Sequence, residues 1–162
     1  MILDYNILKA ARNSGEDNTG LMYIIAEMSE LNRIGTKECL LFLDNICYDR
    51  YQNISRCWCD IFDTGMNLAT SGCEPALIEA FLYNSVCSAY DKGIDLMKSV
   101  LIAAGVLSIV RRDPSRATAL LLCSYMGDEF YNEYVKFTES GECRGFIQAV
   151  NEGMDGEMQN PL

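Results

Sequence analysis

From Leu21 onward the apolar residues Ile24, Ile25, Met28 and Leu31 recur at intervals of three and four, while Glu27, Glu30 and Arg33 fall off that stripe. This is the period of one face of an α-helix. The spacing returns with Leu40, Leu43, Cys47 and Tyr51, and again with Trp58, Ile61, Phe62 and Met66. No stretch alternates with period two over a useful length, and a half-buried strand needs that alternation. The fold class is therefore all-α, a single compact domain of about 6–8 helices.

Local punctuation divides the chain. Gly35 stands where a left-handed helix end favours glycine, and Thr36 offers an N-cap hydroxyl to a second helix. Asn53 can cap a third, which runs to the turn signal Ser71-Gly72. Glu74-Pro75 and Asp113-Pro114 place proline at helix starts, where its missing N–H is tolerated. The segments 75–90 and 94–110 are apolar around most of their circumference, with Gly93 between them, and are expected to be the central helices. A further stretch from Pro114 to about Phe137 is interrupted at Gly127, and Cys143 to Val150 forms a last short helix. Residues 1–150 are thus expected to be the helical domain, and 151–162, which lack periodicity, an acidic flexible C-terminal tail.

The starts Thr36, Pro75 and Pro114 are 39 residues apart. At that offset Leu41-Phe42-Leu43 aligns with Ala80-Phe81-Leu82 and Ala119-Leu120-Leu121, and Tyr51 with Tyr90. The weak period leaves two architectures open: stacked helical hairpins in a short α-solenoid, or a compact bundle.

Composition narrows the function. In 162 residues, 13 Lys and Arg stand against 23 Asp and Glu, a net charge of −10 that repels phosphate backbones and anionic membrane surfaces. Neither nucleic acid nor membrane is an expected direct partner. Histidine is absent, which removes the commonest general base near neutral pH and the usual partner of Ser and Cys nucleophiles. Met1-Ile2-Leu3-Asp4 does not read as a secretory signal, and a cytoplasmic protein is expected. The longest uncharged apolar run, Ser99 to Val110, spans only about 18 Å as a helix against a bilayer core of roughly 30 Å. It reads as a buried helix.

The eight cysteines sit mostly within helical patterns, where a reduced thiol packs as a small hydrophobe. Cys57-Trp58-Cys59 lacks the spacing of a zinc knuckle and has no matching second pair. No metal or cofactor is expected. Glu27 and Glu30, at i and i+3, would face the same way on a helix and could ligate Mg²⁺. That pair resembles half of the carboxylate set of all-α nucleotide pyrophosphatases, whose second E-x-x-D pair lies on the following helix. Here Glu38, Asp44 and Asp49 do not have that spacing. Phosphate-binding glycine motifs and the G-x-S-x-G elbow are also absent. Arg111, Arg112 and Arg116 form a basic knot around a helix junction.

The remaining candidate is Asp128, Glu129, Tyr131, Glu133 and Tyr134, where carboxylates and aromatics interleave on one expected helix. Aromatic anchors supply buried area and carboxylates steer association, which suits a protein partner of basic character. The leading expectation is a non-enzymatic interaction module, an adaptor or regulator. The alternatives are an acidic inhibitor that mimics nucleic acid and blocks a nucleic-acid-binding protein, and a Mg-dependent pyrophosphatase with an incomplete motif.

Overall fold

The computed structural model describes residues 5–12, 17–40, 43, 48–89 and 92–155. Among these residues the chain is all-α, without strands, and forms nine helices in a compact bundle. They are α1 (Tyr5–Arg12), α2 (Thr19–Lys37), α3 (Tyr48–Ile54), α4 (Asp60–Thr70), α5 (Pro75–Ala89), α6 (Gly93–Arg111), α7 (Ser115–Ser124), α8 (Asp128–Glu139) and α9 (Gly141–Asp155).

The bundle is organised on α6. Its uncharged run from Ser99 to Ile109 is buried on every side, and α1, α2, α4, α5 and α7 all pack against it. By length and composition this 19-residue helix could cross a membrane, but protein covers most of it. α6 ends in a left-handed Arg112 (φ 57°), whose N–H and that of Asp113 return to the carbonyls of Ile109 and Ser108. Pro114 is the N-cap of α7, which begins at Ser115, one residue after the start that Asp113-Pro114 predicts.

α2 is the second organiser, touching α6, α7, α8 and α9. Fully buried Asn32 donates from Nδ2 to the Asp113 carbonyl (2.7 Å) and to the Thr118 hydroxyl, tying α2 to the α6–α7 junction. Tyr23 on the same helix meets Phe137 and Phe146 edge-on, with centroids 4.8 and 5.1 Å apart, joining α8 and α9 to it.

Several sequence expectations change. Gly35 does not end a helix, and α2 continues through Thr36 to Lys37. A Cβ on Gly35 would lie 2.9 Å from Leu43 Cδ1, so the glycine serves close packing and not a left-handed cap. The first of the three 39-residue starts is therefore not at Thr36: after Lys37 the next helical residue is Leu40, which breaks the 39-residue register. The aligned positions also differ in surroundings: Leu43 and Leu82 are buried, whereas Leu121 is 39% exposed. A solenoid packs neighbour on neighbour, while α6 gathers helices from both sides of the chain, so the architecture is a bundle.

α5 is not central. Ile78, Leu82 and Val86 form its one buried stripe, and Leu77 is 57% exposed. Asn53 lies inside α3, and α4 starts only at Asp60, with Trp58 in the turn before it. Gly127 (φ 102°) separates α7 from α8 as expected. α9 is longer than the expected 143–150: it runs through Asp155, with Asn151 bonded to Glu30 and Met154 buried. Leu41, Phe42, Asp44, Cys47, Tyr90 and residues 156–162 lie outside the described residues.

The seven described cysteines are free thiols in contrasting environments. Cys39 and Cys87 are exposed, whereas Cys57, Cys123 and Cys143 are buried. Burial pushes the Cys123 thiol up to about 12 and raises Cys143; Cys57 is raised by burial and by the nearby Glu27 carboxylate. The thiolate is the reactive form, so iodoacetamide at about pH 8 is expected to modify Cys39 and Cys87 in the native protein and the three buried thiols only on unfolding. Peptide mass spectrometry checks this. Native labelling of Cys57 as fast as Cys39 would contradict the packing around it.

Candidate functional site

α8 carries the residues that the sequence singles out. Asp128, Glu129 and Glu133 are exposed, and none is ion-paired among the described residues. Tyr131 is half-buried. Tyr134 is only 6% exposed and joins Phe130, one turn earlier, in the stripe that α8 buries. Its phenol is raised chiefly by burial. The helix thus separates the five candidates: three carboxylates face outward, Tyr131 lies at the boundary, and Tyr134 belongs to the interior. An i, i+3 spacing brought the two tyrosines near one another, but the depth of each depends on how α8 sits against α7, α9 and α2.

Glu27 and Glu30 are not an open metal pair. Glu27 is fully buried, and both of its carboxylate oxygens are occupied by protein donors. Oε1 accepts from the Tyr51 hydroxyl at 2.6 Å and from the Ser55 hydroxyl, and Oε2 accepts the Arg56 backbone N–H at 2.8 Å. Ser55 Oγ in turn accepts the N–H groups of Cys57 and Trp58, each at 3.1 Å. Glu27 is therefore the point to which the turn between α3 and α4 is tied. The Tyr51 phenol is pushed up by burial and by the Glu27 charge. Cys57 completes the turn by aiming its thiol at the Ile24 carbonyl, 3.7 Å away.

Glu30 faces a different region. It accepts from Arg33 (2.7 and 3.0 Å) and from Asn151 Nδ2 (2.9 Å). Burial pushes its carboxyl upward, but these donors and the Arg33 charge outweigh that and hold it below the ordinary range. Among the described residues no three Cys, Asp or Glu side chains gather where they could hold a metal ion.

Glu30 lies on the wall of a cleft of about 640 Å³ between α2, α7, α8 and α9, a volume typical of small-molecule sites. Tyr134 and Ile147 form part of its wall, with Ala26 contributing from α2. Arg116 and Arg144 also line it. The basic knot expected around Arg111 is therefore dispersed: Arg111 pairs with Glu79 at 3.2 Å, Arg112 closes α6, and Arg116 turns to the cleft. Sequence reading missed Arg144 altogether. The signal was its position, since Arg116 and Arg144 both lie in the first turn or so of a helix, where the backbone dipole disfavours a cation. No family model, curated protein or solved structure matches the chain.

Proposed function

We propose that the protein acts by binding and not by catalysis, and that the outer face of α8 receives a basic protein partner. The observation that carries this reading is the set of exposed carboxylates on Asp128, Glu129 and Glu133, with no counter-cation among the described residues. Asp128 and Glu129 have a local role as well, because acidic groups in a first turn complement the helix dipole. Glu133 lies beyond that turn, so helix stability does not account for it. Half-buried Tyr131 on the same helix supplies an amphipathic anchor of the kind enriched in interfaces. A mimic of nucleic acid would use the same charge against a basic groove, and the class of the partner captured separates that version from an adaptor.

The test compares wild type with Glu133→Lys as baits and then titrates the captured partner. The charge reversal should leave stability within about 0.5 kcal/mol, as expected of an exposed site. Affinity should fall about tenfold, mainly through slower association that becomes less salt-dependent. A partner held equally by both proteins would remove α8 from the reading.

A further inference from the structure

Arg116 and Arg144 line the cleft between α2, α7, α8 and α9, and no carboxylate of the described residues is ion-paired with either. Arg116 comes from the start of α7 and Arg144 from the start of α9, and neither makes a side-chain hydrogen bond or ion pair among the described residues. In a chain of net charge −10, carboxylates are abundant, yet none is placed against these two cations. The carboxylates that do line the cleft already have donors: Glu30 holds Arg33 and Asn151, and Glu152 accepts from Gln148 Nε2 at 2.9 Å. Glu30 is neutralised by Arg33, whereas Glu152 has only the neutral Gln148 amide, so the cleft carries two unpaired guanidiniums against one unpaired carboxylate. Both arginines also sit near the positive end of a helix, and a bound anion would offset that unfavourable placement. α7 has no side-chain cap, so backbone N–H groups of its first turn add to the same field.

We propose that this cleft binds a phosphate monoester with a hydroxylated body, of the size of a sugar phosphate, with Arg116 and Arg144 holding the phosphate. One carboxylate satisfies one guanidinium fork, whereas two forks carried by separate helices match a dianion with several terminal oxygens. Half-buried Ser29 and Thr138 and exposed Gln148 also line the cleft, with oxygens able to accept from hydroxyl groups while their donors bond within the protein, and Ala26, Tyr134 and Ile147 give the body apolar contacts. The site is on the inner side of α8 and stands independently of the outer-face reading.

Calorimetric titration of the whole protein tests it with ribose 5-phosphate, glucose 6-phosphate and a nucleoside 5′-monophosphate, alongside ribose and inorganic phosphate. At least one ester should bind with a Kd below about 1 mM. It should bind about tenfold tighter than inorganic phosphate, and ribose should give no measurable heat. Arg116→Gln and Arg144→Gln should each weaken that ester about tenfold or more, the usual consequence of losing a charge-assisted contact. Both residues are exposed, so the melting temperature without ligand should be unchanged in either variant. Failure of all three esters overturns the site, as does equal binding by the glutamine variants. Inorganic phosphate binding as tightly as every ester overturns the organic ligand.

Discussion

Replacing Glu27 with alanine is expected to lower the stability of the fold by about 3–5 kcal/mol, because three donors lose their acceptor together. The Tyr51 hydroxyl is fully buried, the Ser55 hydroxyl also organises the N–H groups of Cys57 and Trp58, and the Arg56 N–H points at the same carboxylate. Leaving a buried donor unsatisfied costs about 1–3 kcal/mol each, and partial access of water to the turn keeps the sum below its upper limit. Glu27→Gln retains one carbonyl but turns an amide N–H₂ toward groups that are themselves donors. It should lose about 2 kcal/mol, less than alanine. Urea unfolding of both variants checks the order. A shift below about 1 kcal/mol for Glu27→Ala would mean that the carboxylate does not anchor the turn, and Trp58 fluorescence reports whether the turn has opened.

The second large effect is expected at Gly105, where α6 meets α2. A Cβ built there would lie 2.6 Å from Met28 Cγ, 2.7 Å from its sulfur and 3.0 Å from its Cβ, and Met28 itself is fully buried. The thioether end can swing aside, but Met28 Cβ moves only with α2. Gly105→Val should therefore destabilise the protein by about 3 kcal/mol, at the upper end of overpacking, despite valine's better helix propensity than glycine. Met28→Ala alone leaves a cavity and should cost about 2–3 kcal/mol. Combined, the two changes should cost clearly less than their sum, because each relieves the other's misfit. Additive losses would show that Gly105 is not held to glycine by Met28.

What could be read before any packing was known is the part governed by local period and local chemistry. The stripe from Leu21 to Leu31, the uncharged run of α6, the start at Pro75 and the stop at Ser71-Gly72 all appear where the spacing puts them. Helix formation and termination depend on residues within about four positions of each other, and those are visible in a linear chain.

The candidate sites were less legible because their partners are distant. Glu27, like Glu30 and Arg33, falls off the apolar stripe by spacing, yet it is buried by Tyr51, Ser55 and Arg56, 24 to 29 residues away. Asn151 reaches Glu30 across 121 residues and draws what looked like a tail into α9. Sequence alone determined that the chain is all-α, built from amphipathic and strongly apolar helices, and that it carries a net charge of −10; that these pack as a bundle on the single helix α6 came from the tertiary structure. Only the tertiary structure decided that Gly35 is a contact and not a stop, that Tyr134 faces inward, and that Arg116 and Arg144 share one cleft. The period of a helix specifies which residues lie on the same side; how many neighbours cover that side is set by the packing of the whole chain.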